Sequence, residues 1–263
     1  MQGRILTIAG SDPSGGAGIQ ADIKSISALG GYAMSAITAL TVQNSLGVSE
    51  VHAQKPSLVK AQIEAVLTDM GADCIKTGML CNRAVIKAVV AALSQYPDIP
   101  IVVDPVISAT SGHRLLDEEG LDYLIHHLFP KVTLLTPNLD EAALLSGMDR
   151  LENLDHMRRA AEKLMDFGPG AVLIKGGHLK GDMVQDLLVS RGGERIFSSP
   201  RIESRHCHGT GCSLASAIAT GIAQGLSLED AVGRAHDYVH QAILMAPGFG
   251  QGRGPLNHLI SLD

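Results

Sequence analysis

The chain has 263 residues, of which 45% are hydrophobic and 18% charged, and its formal net charge is −6. This length and composition suffice for one well-packed core, so we exclude a largely disordered protein and expect a single domain over residues 1–263. The acidic balance, the lack of any run of Lys and Arg and an aromatic content of 3% argue against nucleic acid as a partner.

The sequence carries no sign of export or of membrane insertion. Its N-terminus leads directly into a strand-like stretch without a signal-peptide pattern, and no stretch approaches the roughly 18 consecutive apolar residues of a membrane span. The four cysteines are irregularly spaced and form no C-x-x-C pair: Cys74, Cys81, Cys207 and Cys212. This spacing predicts free thiols rather than zinc ligands, and we expect a cytoplasmic protein with no membrane partner.

Strands and helices alternate along the first two thirds of the chain. Residues 4–9 are predicted to form a strand, and three apolar faces at helical spacing follow: Ile19, Ile23, Ile26 and Leu29; Val59, Ile63, Val66 and Met70; Val85, Ile86, Val89, Val90 and Leu93. Three compact apolar runs at 101–103, 132–135 and 171–174 predict strands that are covered on both faces. The pattern predicts an α/β fold with a mostly parallel sheet.

The last third of the chain has a different pattern. Residues 210–224 and 227–245 are predicted to form two consecutive helices, separated at Gly225. Ser227, with Asp230 three residues later, is placed to form a capping box at the start of the second helix.

Polar or glycine-rich segments follow each strand of the predicted sheet: residues 10–18, 76–79, 104–106, 136–141 and 175–178. In parallel α/β sheets, ligands bind beyond the carboxyl ends of the strands. Because all five segments belong to that edge, they predict a ligand site there.

The first of these segments, residues 10–18, contains Gly10, Gly15, Gly16 and Gly18. It matches neither the Walker motif nor the dinucleotide-binding pattern. Two interpretations remain open at this point. The segment is either a tight strand-to-helix turn or a backbone that approaches a small ligand closely, with Asp22 one turn into the following helix.

The segment Gly209-Thr210-Gly211-Cys212 opens the first of the two C-terminal helices. Backbone N–H groups and the helix dipole at such a start bind anions and stabilise charge on a phosphoryl group during transfer. A thiol in this environment is expected to have a lowered pKa. The alternative interpretation is an ordinary helix start with a small buried cysteine at Cys212.

Three charged residues at strand ends favour phosphate chemistry. Asp104 and Glu141 provide the oxygen ligands that Mg²⁺ prefers, and Lys175 provides a point charge for phosphates. Taken alone, each of the three could also be a charged side chain that is simply exposed to solvent and has no ligand.

Together these segments resemble the hydroxymethylpyrimidine/phosphomethylpyrimidine kinases of thiamine biosynthesis, in the ribokinase-like superfamily. The similar segments cover the chain in order: TIAGSDPSGGAGIQAD (7–22), ITALTVQN (37–44), KTGML (76–80), DPV (104–106), LTPNLDEA (135–142), VLIKGGH (172–178), HGTGCSL (208–214) and GRGPLNH (252–258). The resemblance implies a ribokinase-like fold, in which helices cover both faces of a central, mostly parallel sheet in three αβα layers.

The resemblance also implies roles for the matching residues. The pyrimidine pocket is expected to contain Gly10, Ala17, Asp22, Gln43, Met79 and Val106, with Gln43 pairing to the amino and ring-nitrogen edge of the base. ATP phosphates are expected at Asn138, Lys175 and Thr210, and Mg²⁺ at Asp104 and Glu141. The catalytic anion hole is expected at Gly209, Thr210, Gly211 and Cys212. ATP and Mg²⁺ are the implied cofactors, and a homodimer is the implied assembly.

Cys212 stands where most sugar kinases of the superfamily have an Asp base, a substitution typical of the pyrimidine kinases and of some pyridoxal kinases. We expect Cys212 to accept the hydroxymethyl proton, although phosphoryl transfer depends mainly on positioning and charge. The preceding residues Arg205, His206 and Cys207 depart from the family pattern. We interpret Arg205 as surface variation and assign no role to the other two.

Two other functions remain open from the sequence. A pyridoxal kinase of the same superfamily would also act on a hydroxymethyl group of a flat ring, and Gln43 is the residue that favours an aminopyrimidine over pyridoxal. A non-catalytic pyrimidine-binding protein is the second alternative, which the presence of Lys175, Asp104 and Glu141 disfavours.

Overall fold

The computed structural model describes residues 2–108, 112 and 114–260, so the ends of the predicted domain and residues 109–111 and 113 lie outside the described part. The strands are β1 (Arg4–Ser11), β2 (Tyr32–Asn44), β3 (Gly47–Ala53), β4 (Cys74–Thr77), β5 (Ile101–Val103), β6 (Leu134–Leu135), β7 (Ala171–Ile174), β8 (Met183–Ser190) and β9 (Gly193–Pro200). The helices are α1 (Gly18–Ala28), α2 (Pro56–Asp69), α3 (Arg83–Leu93), α4 (Glu118–Tyr123), α5 (Leu139–Ser146), α6 (Leu154–Met165), α7 (Thr210–Ala223) and α8 (Leu228–Leu244). A π-helical turn (Leu124–Leu128) and a short 3₁₀ helix (Phe129–Lys131) extend α4.

The strands form one sheet in the order β3-β2-β1-β4-β5-β6-β7-β8-β9. The six strands from β2 to β7 in this order are parallel, and β3, β8 and β9 pair antiparallel at the two edges. The central parallel strands bring their carboxyl ends to one edge, which is the arrangement that creates a ligand site.

Helices cover both faces of this sheet, which confirms the three-layer αβα prediction. Alternate strand residues face opposite sides. Leu6 and Val103 join a core formed with α2, α3, α5 and α6, whereas Ile5 and Val102 join a second core formed with α1, α7 and α8. Both cores contain completely buried strand residues, as the continuous apolar runs predicted.

The predicted helices are all present, but the sequence missed four strands. β2, β3, β8 and β9 lie at the sheet edges and expose many of their side chains, so they lack the continuous apolar runs of β5 and β7. The strand predicted at 132–135 is shortened to Leu134–Leu135 because the 3₁₀ turn ends at Lys131.

The start of α8 confirms the predicted cap in part. Ser227 Oγ accepts the backbone N–H of Asp230 at 3.1 Å, as an N-cap residue does. The Asp230 carboxylate accepts a hydrogen bond from the Ser227 hydroxyl at 2.6 Å. The cap therefore forms, although its return bond goes to the side chain of Ser227. None of the described helices is long and apolar enough to cross a membrane.

The C-terminal segment is attached to α7 and α8 through a buried histidine. His258 Nε2 lies 3.0 Å from Ser213 Oγ, and the Tyr238 hydroxyl donates to the His258 carbonyl at 2.9 Å. Burial, with a smaller contribution from the charge of Lys24, lowers the pKa of His258 to about 4. The folded protein therefore keeps this ring neutral where an unfolded chain would protonate it.

We expect His258 to make the protein sensitive to acid. The ordinary pKa of a histidine is 6.5, and the pKa of His258 in the folded protein is about 4. As the pH falls between these two values, His258 is protonated in the unfolded state but stays neutral in the folded state, so the free energy of unfolding falls. The loss from this ring is on the order of 2–3 kcal/mol. Urea denaturation at about pH 7 and about pH 4.5 should show a smaller fall for His258→Gln than for the wild type. An equal fall in both proteins would contradict this assignment.

Candidate active site

One cavity of about 690 Å³ opens where the parallel strands end. Its lining includes residues that follow β1, β5, β6 and β7, together with the first turn of α7. Every predicted site residue except Asp22 lines this cavity: Gly10, Ala17, Gln43, Met79, Asp104, Val106, Asn138, Glu141, Lys175, Gly209, Thr210, Gly211 and Cys212. The fold thus brings together residues that are more than 200 positions apart in sequence.

The glycine-rich loop at residues 10–18 is held from within by Asp12. The Asp12 carboxylate accepts the backbone N–H groups of Ser14 and Ala17, both at 2.8 Å. Gly18 has φ +57°, and a Cβ atom there would overlap the carbonyl oxygen at the start of the loop. The loop is therefore both a tight turn and a wall of the cavity, so the two interpretations of this segment do not exclude each other.

The start of α7 packs directly against that loop. Gly209 is the N-cap of α7 with φ +87°, and a Cβ atom at this position would overlap the carbonyl oxygen of Gly16. Only glycine fits a position with both restrictions. The first N–H groups of a helix have no acceptor within the helix, and here they border the cavity at Thr210 and Gly211. This geometry is that of an anion-binding site.

The ammonium group of Lys175 lies beside this anion-binding turn. Lys175 Nζ donates to Asp104 Oδ1 at 2.7 Å, and a Cβ atom on Gly211 would lie 3.1 Å from the same nitrogen. Burial acts to lower the pKa of Lys175, but the charges of Asp104 and Glu141 outweigh it and raise the pKa above its ordinary value. Lys175 therefore keeps its positive charge beside the anion-binding turn.

Asn138 and Glu141 form a capping box at the start of α5. Asn138 Oδ1 accepts the backbone N–H of Glu141 at 2.9 Å, and Glu141 Oε2 accepts that of Asn138 at 2.8 Å. Burial raises the pKa of Glu141 to about 7, with Lys175 acting in the opposite direction and Asp104 in the same one. The cap fixes both side chains at the cavity wall.

Asp104 and Glu141 fit the chemistry of a Mg²⁺ site. Mg²⁺ is commonly held by one or two carboxylates together with substrate phosphates and water. Among the described residues, no group of three or more His, Cys, Asp or Glu side chains gathers into an all-protein metal site.

Cys212 lines the cavity, but its environment acts against ionisation. Burial raises the pKa of the Cys212 thiol to about 11, although the charge of Lys76 and the backbone N–H of Gly18 both favour the thiolate. The expected lowering of this pKa is therefore wrong for the substrate-free protein. The charges of Asp22 and Asp104 add to the effect of burial.

The pH dependence of alkylation measures the ionisation of the Cys212 thiol directly. Because only the thiolate reacts, the rate of Cys212 modification by iodoacetamide should rise about tenfold per pH unit between about pH 7 and about pH 10. Mass spectrometry of the modified peptides follows Cys212, with the partly exposed Cys207 in the same sample as a check on the reagent. A rate that reaches a plateau below about pH 8 would contradict the raised pKa.

Asp22 does not lie in the pyrimidine pocket, which corrects the prediction made for it. Its carboxylate is completely buried and accepts Lys76 Nζ at 2.8 and 2.9 Å and Ser216 Oγ at 2.8 Å. The buried face of α1 runs through Ile19, Asp22 and Ile26, whereas Ile23, predicted for this face, is 37% exposed. Asp22 therefore points into the protein and serves as a counter-ion.

Lys76 is a residue whose role the sequence did not reveal. It lies inside β4 and is completely buried, and its charge acts on both Cys212 and Asp104. Buried lysines almost always have a partner charge, so a lysine within the apolar run of β4 was a usable signal for one. Because Ser216 follows Cys212 by one helical turn, α7 presents both residues to the Lys76–Asp22 pair.

The cavity lining combines polar and apolar side chains. At one end, Gln43, Met79 and Val106 surround a space next to the glycine-rich loop. The lining toward β8, β9 and α8 combines apolar side chains, among them Val184, Ile202 and Ile243, with polar ones, among them Arg201, His236 and His240. Arg205 is exposed and borders the cavity, so its interpretation as surface variation stays a prediction. The Lys175–Asp104 pair and the start of α7 line the same cavity.

The family profile described as phosphomethylpyrimidine kinase matches residues 12–257. The chain belongs to this family. A hydroxymethylpyrimidine/phosphomethylpyrimidine kinase of Streptomyces coelicolor is 46% identical over 97% of this chain and 93% of the relative. The Escherichia coli relative of the same name is 42% identical, with 96% of each chain covered. The thiamine biosynthesis bifunctional protein ThiED of Geobacter sulfurreducens is 46% identical over the whole chain, which spans about half of that relative (53%).

Solved structures give the same fold. The phosphomethylpyrimidine kinase of Clostridium difficile superimposes with a TM-score of 0.81 at 40% identity, covering 91% of this chain and 99% of that one. The pyridoxal kinase of Bacillus subtilis, in an ADP complex, has a TM-score of 0.90 at 32% identity, with 98% of both chains covered. These neighbours confirm the ribokinase-like fold, and the family confirms that the chain is a kinase.

Proposed function

We propose that this chain transfers the γ-phosphoryl group of ATP to 4-amino-5-hydroxymethyl-2-methylpyrimidine and then phosphorylates the monophosphate to the diphosphate, in thiamine biosynthesis. One observation carries the proposal. A single cavity of about 690 Å³ joins the space at Gln43, the Lys175–Asp104 pair with the anion-binding turn, and a further part lined by β8, β9 and α8. The names of the relatives support the same substrate.

In this proposal the nucleotide lies along the cavity with its phosphates between Lys175, Asn138 and Thr210. Asp104 and Glu141 would hold Mg²⁺, which supplies charge neutralisation for the phosphates when bound. The N–H groups at the start of α7 stabilise the charge that develops on the moving phosphoryl group. The hydroxymethyl group of the pyrimidine lies at Cys212, next to Gly209 and Gly211.

We propose further that Cys212 positions the hydroxyl group and relays its proton late in the transfer: the sulfur takes the hydroxyl proton while its own thiol proton passes to an oxygen of the transferred phosphoryl group. A thiol with a pKa of about 11 is mostly protonated at neutral pH, so it is not an ionised base in the resting enzyme. Phosphoryl transfer needs little base catalysis when the reacting oxygens are well placed. If Cys212→Ser and Cys212→Ala lower kcat/KM less than about tenfold, Cys212 takes no part in proton transfer.

A pyridoxal kinase is the second candidate, and the high structural similarity to pyridoxal kinases is the observation that favours it. Rates of ADP release should be compared with hydroxymethylpyrimidine and with pyridoxal as alternative substrates, under the same ATP and Mg²⁺ concentrations. The proposal expects the pyrimidine to have the higher kcat/KM. A higher value for pyridoxal would contradict it, and release of ADP with neither would favour a binding protein without kinase activity.

We also propose a single domain, a cytoplasmic location and a homodimer. The apolar side chains of Leu40, Val42 and Leu46 are about half exposed or more on β2 and the turn that follows it, which supports an interface at this hairpin. Light scattering after gel filtration should give twice the chain mass. A single-chain mass that persists over a wide range of concentrations would contradict the dimer.

A further inference from the structure

The imidazole ring of His208 lies between the glycine-rich loop and Gln43. His208 Nε2 is 3.0 Å from Asp12 Oδ2 and also 3.0 Å from the side-chain amide of Gln43. A Cβ atom on Gly16 would overlap the ring, so the glycine provides the space in which the ring packs. The backbone N–H of His208 donates to the Gly254 carbonyl at 3.1 Å, which holds the residue in place.

Asp12 determines which atom of this ring carries a hydrogen. Besides His208, its carboxylate accepts the backbone N–H of Ser14, Gly16 and Ala17 and the Ser14 hydroxyl, at 2.7 to 3.2 Å. Burial opposes ionisation of Asp12, but these donors outweigh it and lower the pKa of the carboxyl. An ionised carboxylate can only accept, so His208 Nε2 must carry a hydrogen that points at Asp12.

This hydrogen restricts the orientation of the Gln43 amide. Gln43 Nε2 faces His208 Nε2 at 3.0 Å, which would bring two N–H donors together. A half-turn of the amide exchanges its oxygen and nitrogen without changing its shape, and it removes the conflict. The oxygen then shares the single Nε2 hydrogen of His208 with Asp12, and the nitrogen faces Thr41 Oγ1, which lies 3.4 Å from the other end of the amide.

Thr41 is able to accept the second hydrogen bond. Its hydroxyl hydrogen is already used, because Thr41 Oγ1 donates to the Ser11 carbonyl at 2.9 Å. The lone pairs of the same oxygen are therefore directed to receive an N–H group from Gln43. Asp12, His208 and Thr41 together allow only one orientation of the amide.

We propose that His208 is a specificity-determining residue, which fixes the Gln43 amide so that it recognises a heteroaromatic ring carrying an amino group next to a ring nitrogen. In this orientation the amide still has one lone pair on oxygen and one N–H for a ligand. The oxygen accepts from the exocyclic amine, and the N–H donates to the neighbouring ring nitrogen. The inference rests on the proposed function, because it assumes that Gln43 meets the pyrimidine.

A 4-oxo analogue of the substrate tests the orientation directly. Replacing the 4-amino group by an oxo group reverses the hydrogen-bonding pattern of that edge, so only a rotated amide would pair with it. The wild type should favour the amino compound in kcat/KM by about 100-fold or more. His208→Phe, which keeps a ring but removes the donor, should reduce this ratio to below about tenfold and leave KM for ATP within about twofold.

Two further variants separate this role from a structural one. His208→Gln restores an N–H that reaches toward Asp12 and should recover most of the ratio. Thr41→Val removes the acceptor at the other end of the amide and should lower the ratio, which keeps the test valid if the Phe variant fails to fold. An amino-to-oxo ratio within about twofold of the wild type in both His208→Phe and Thr41→Val would overturn the proposal.

Ligand binding without ATP distinguishes this inference from the proposed function. Dissociation constants of the amino and oxo compounds, measured by calorimetry, do not require turnover. If the wild type binds the amino compound selectively but does not phosphorylate it, the proposed function fails and the role of His208 stands. If the wild type binds both compounds equally, the role of His208 fails even if the amino compound is phosphorylated.

Discussion

Lys175→Met is expected to lower kcat/KM for ATP-dependent phosphorylation by a factor of about 10²–10³, and most of the loss should be in kcat. Lys175 places its ammonium group 2.7 Å from Asp104 and beside the first turn of α7. Charge develops on the phosphoryl oxygens during transfer, so a fixed cation at this point stabilises the transition state more than the bound nucleotide.

The same substitution leaves Asp104 without its counter-ion. Because Asp104 is 3% exposed, the variant leaves a buried carboxylate without a partner charge, which costs stability. Steady-state kinetics should be compared with Lys87→Met, an exposed lysine of α3, as the matched control. A loss below about tenfold in the Lys175 variant, or an equal loss in the control, would show that the ammonium is not part of the transfer site.

Gly209→Ala is expected to abolish most of the activity, by more than about 100-fold, because it separates the anion-binding turn from the glycine-rich loop. Alanine at this position meets two obstacles. The left-handed backbone, with φ +87°, costs about 1 kcal/mol for a residue with a Cβ atom. The added atom also overlaps the carbonyl oxygen of Gly16, so the loop or the start of α7 must move.

Gly225→Ala is the matched control for this experiment. Gly225 has φ +85°, but a Cβ atom there would meet nothing within 4 Å. The two variants share the backbone cost and differ in the collision, so chemical denaturation should show the larger loss for Gly209→Ala. The kinetics should show near-normal activity for Gly225→Ala. Equal activity in the two variants would mean that the contact between turn and loop is not needed for catalysis.

The sequence predicted the layered fold because its central strands have a simple pattern. β5 and β7 are buried on both faces and appear as continuous apolar runs, which are separated by helices with regular apolar spacing. The two last strands of the sheet, β8 and the edge strand β9, are only partly buried and carry polar and charged residues, so their pattern is weaker. Their pairing depends on neighbours across the sheet rather than on the local sequence.

The sequence predicted those parts of the site whose geometry is set by the backbone. It predicted less well the side chains whose pKa or direction depends on how the folded protein buries them. The glycine at position 209 and the helix start that follows it have a local signature, and the structure places both at the cavity. The pKa of Cys212 depends on how much water the assembled fold removes, which one stretch of sequence does not reveal. The local sequence also does not reveal where the Asp22 side chain points, because its partner Lys76 lies on a strand that is distant in sequence.

We expect one cavity to support two successive phosphorylations of a hydroxymethylpyrimidine. Phosphorus NMR of a reaction with the pyrimidine, ATP and Mg²⁺ tests it most directly, because monoester and diphosphate groups give separate signals. We expect a monophosphate signal to appear first and then to be replaced by a diphosphate. A reaction that stops at the monophosphate, or that forms neither product, would contradict this expectation.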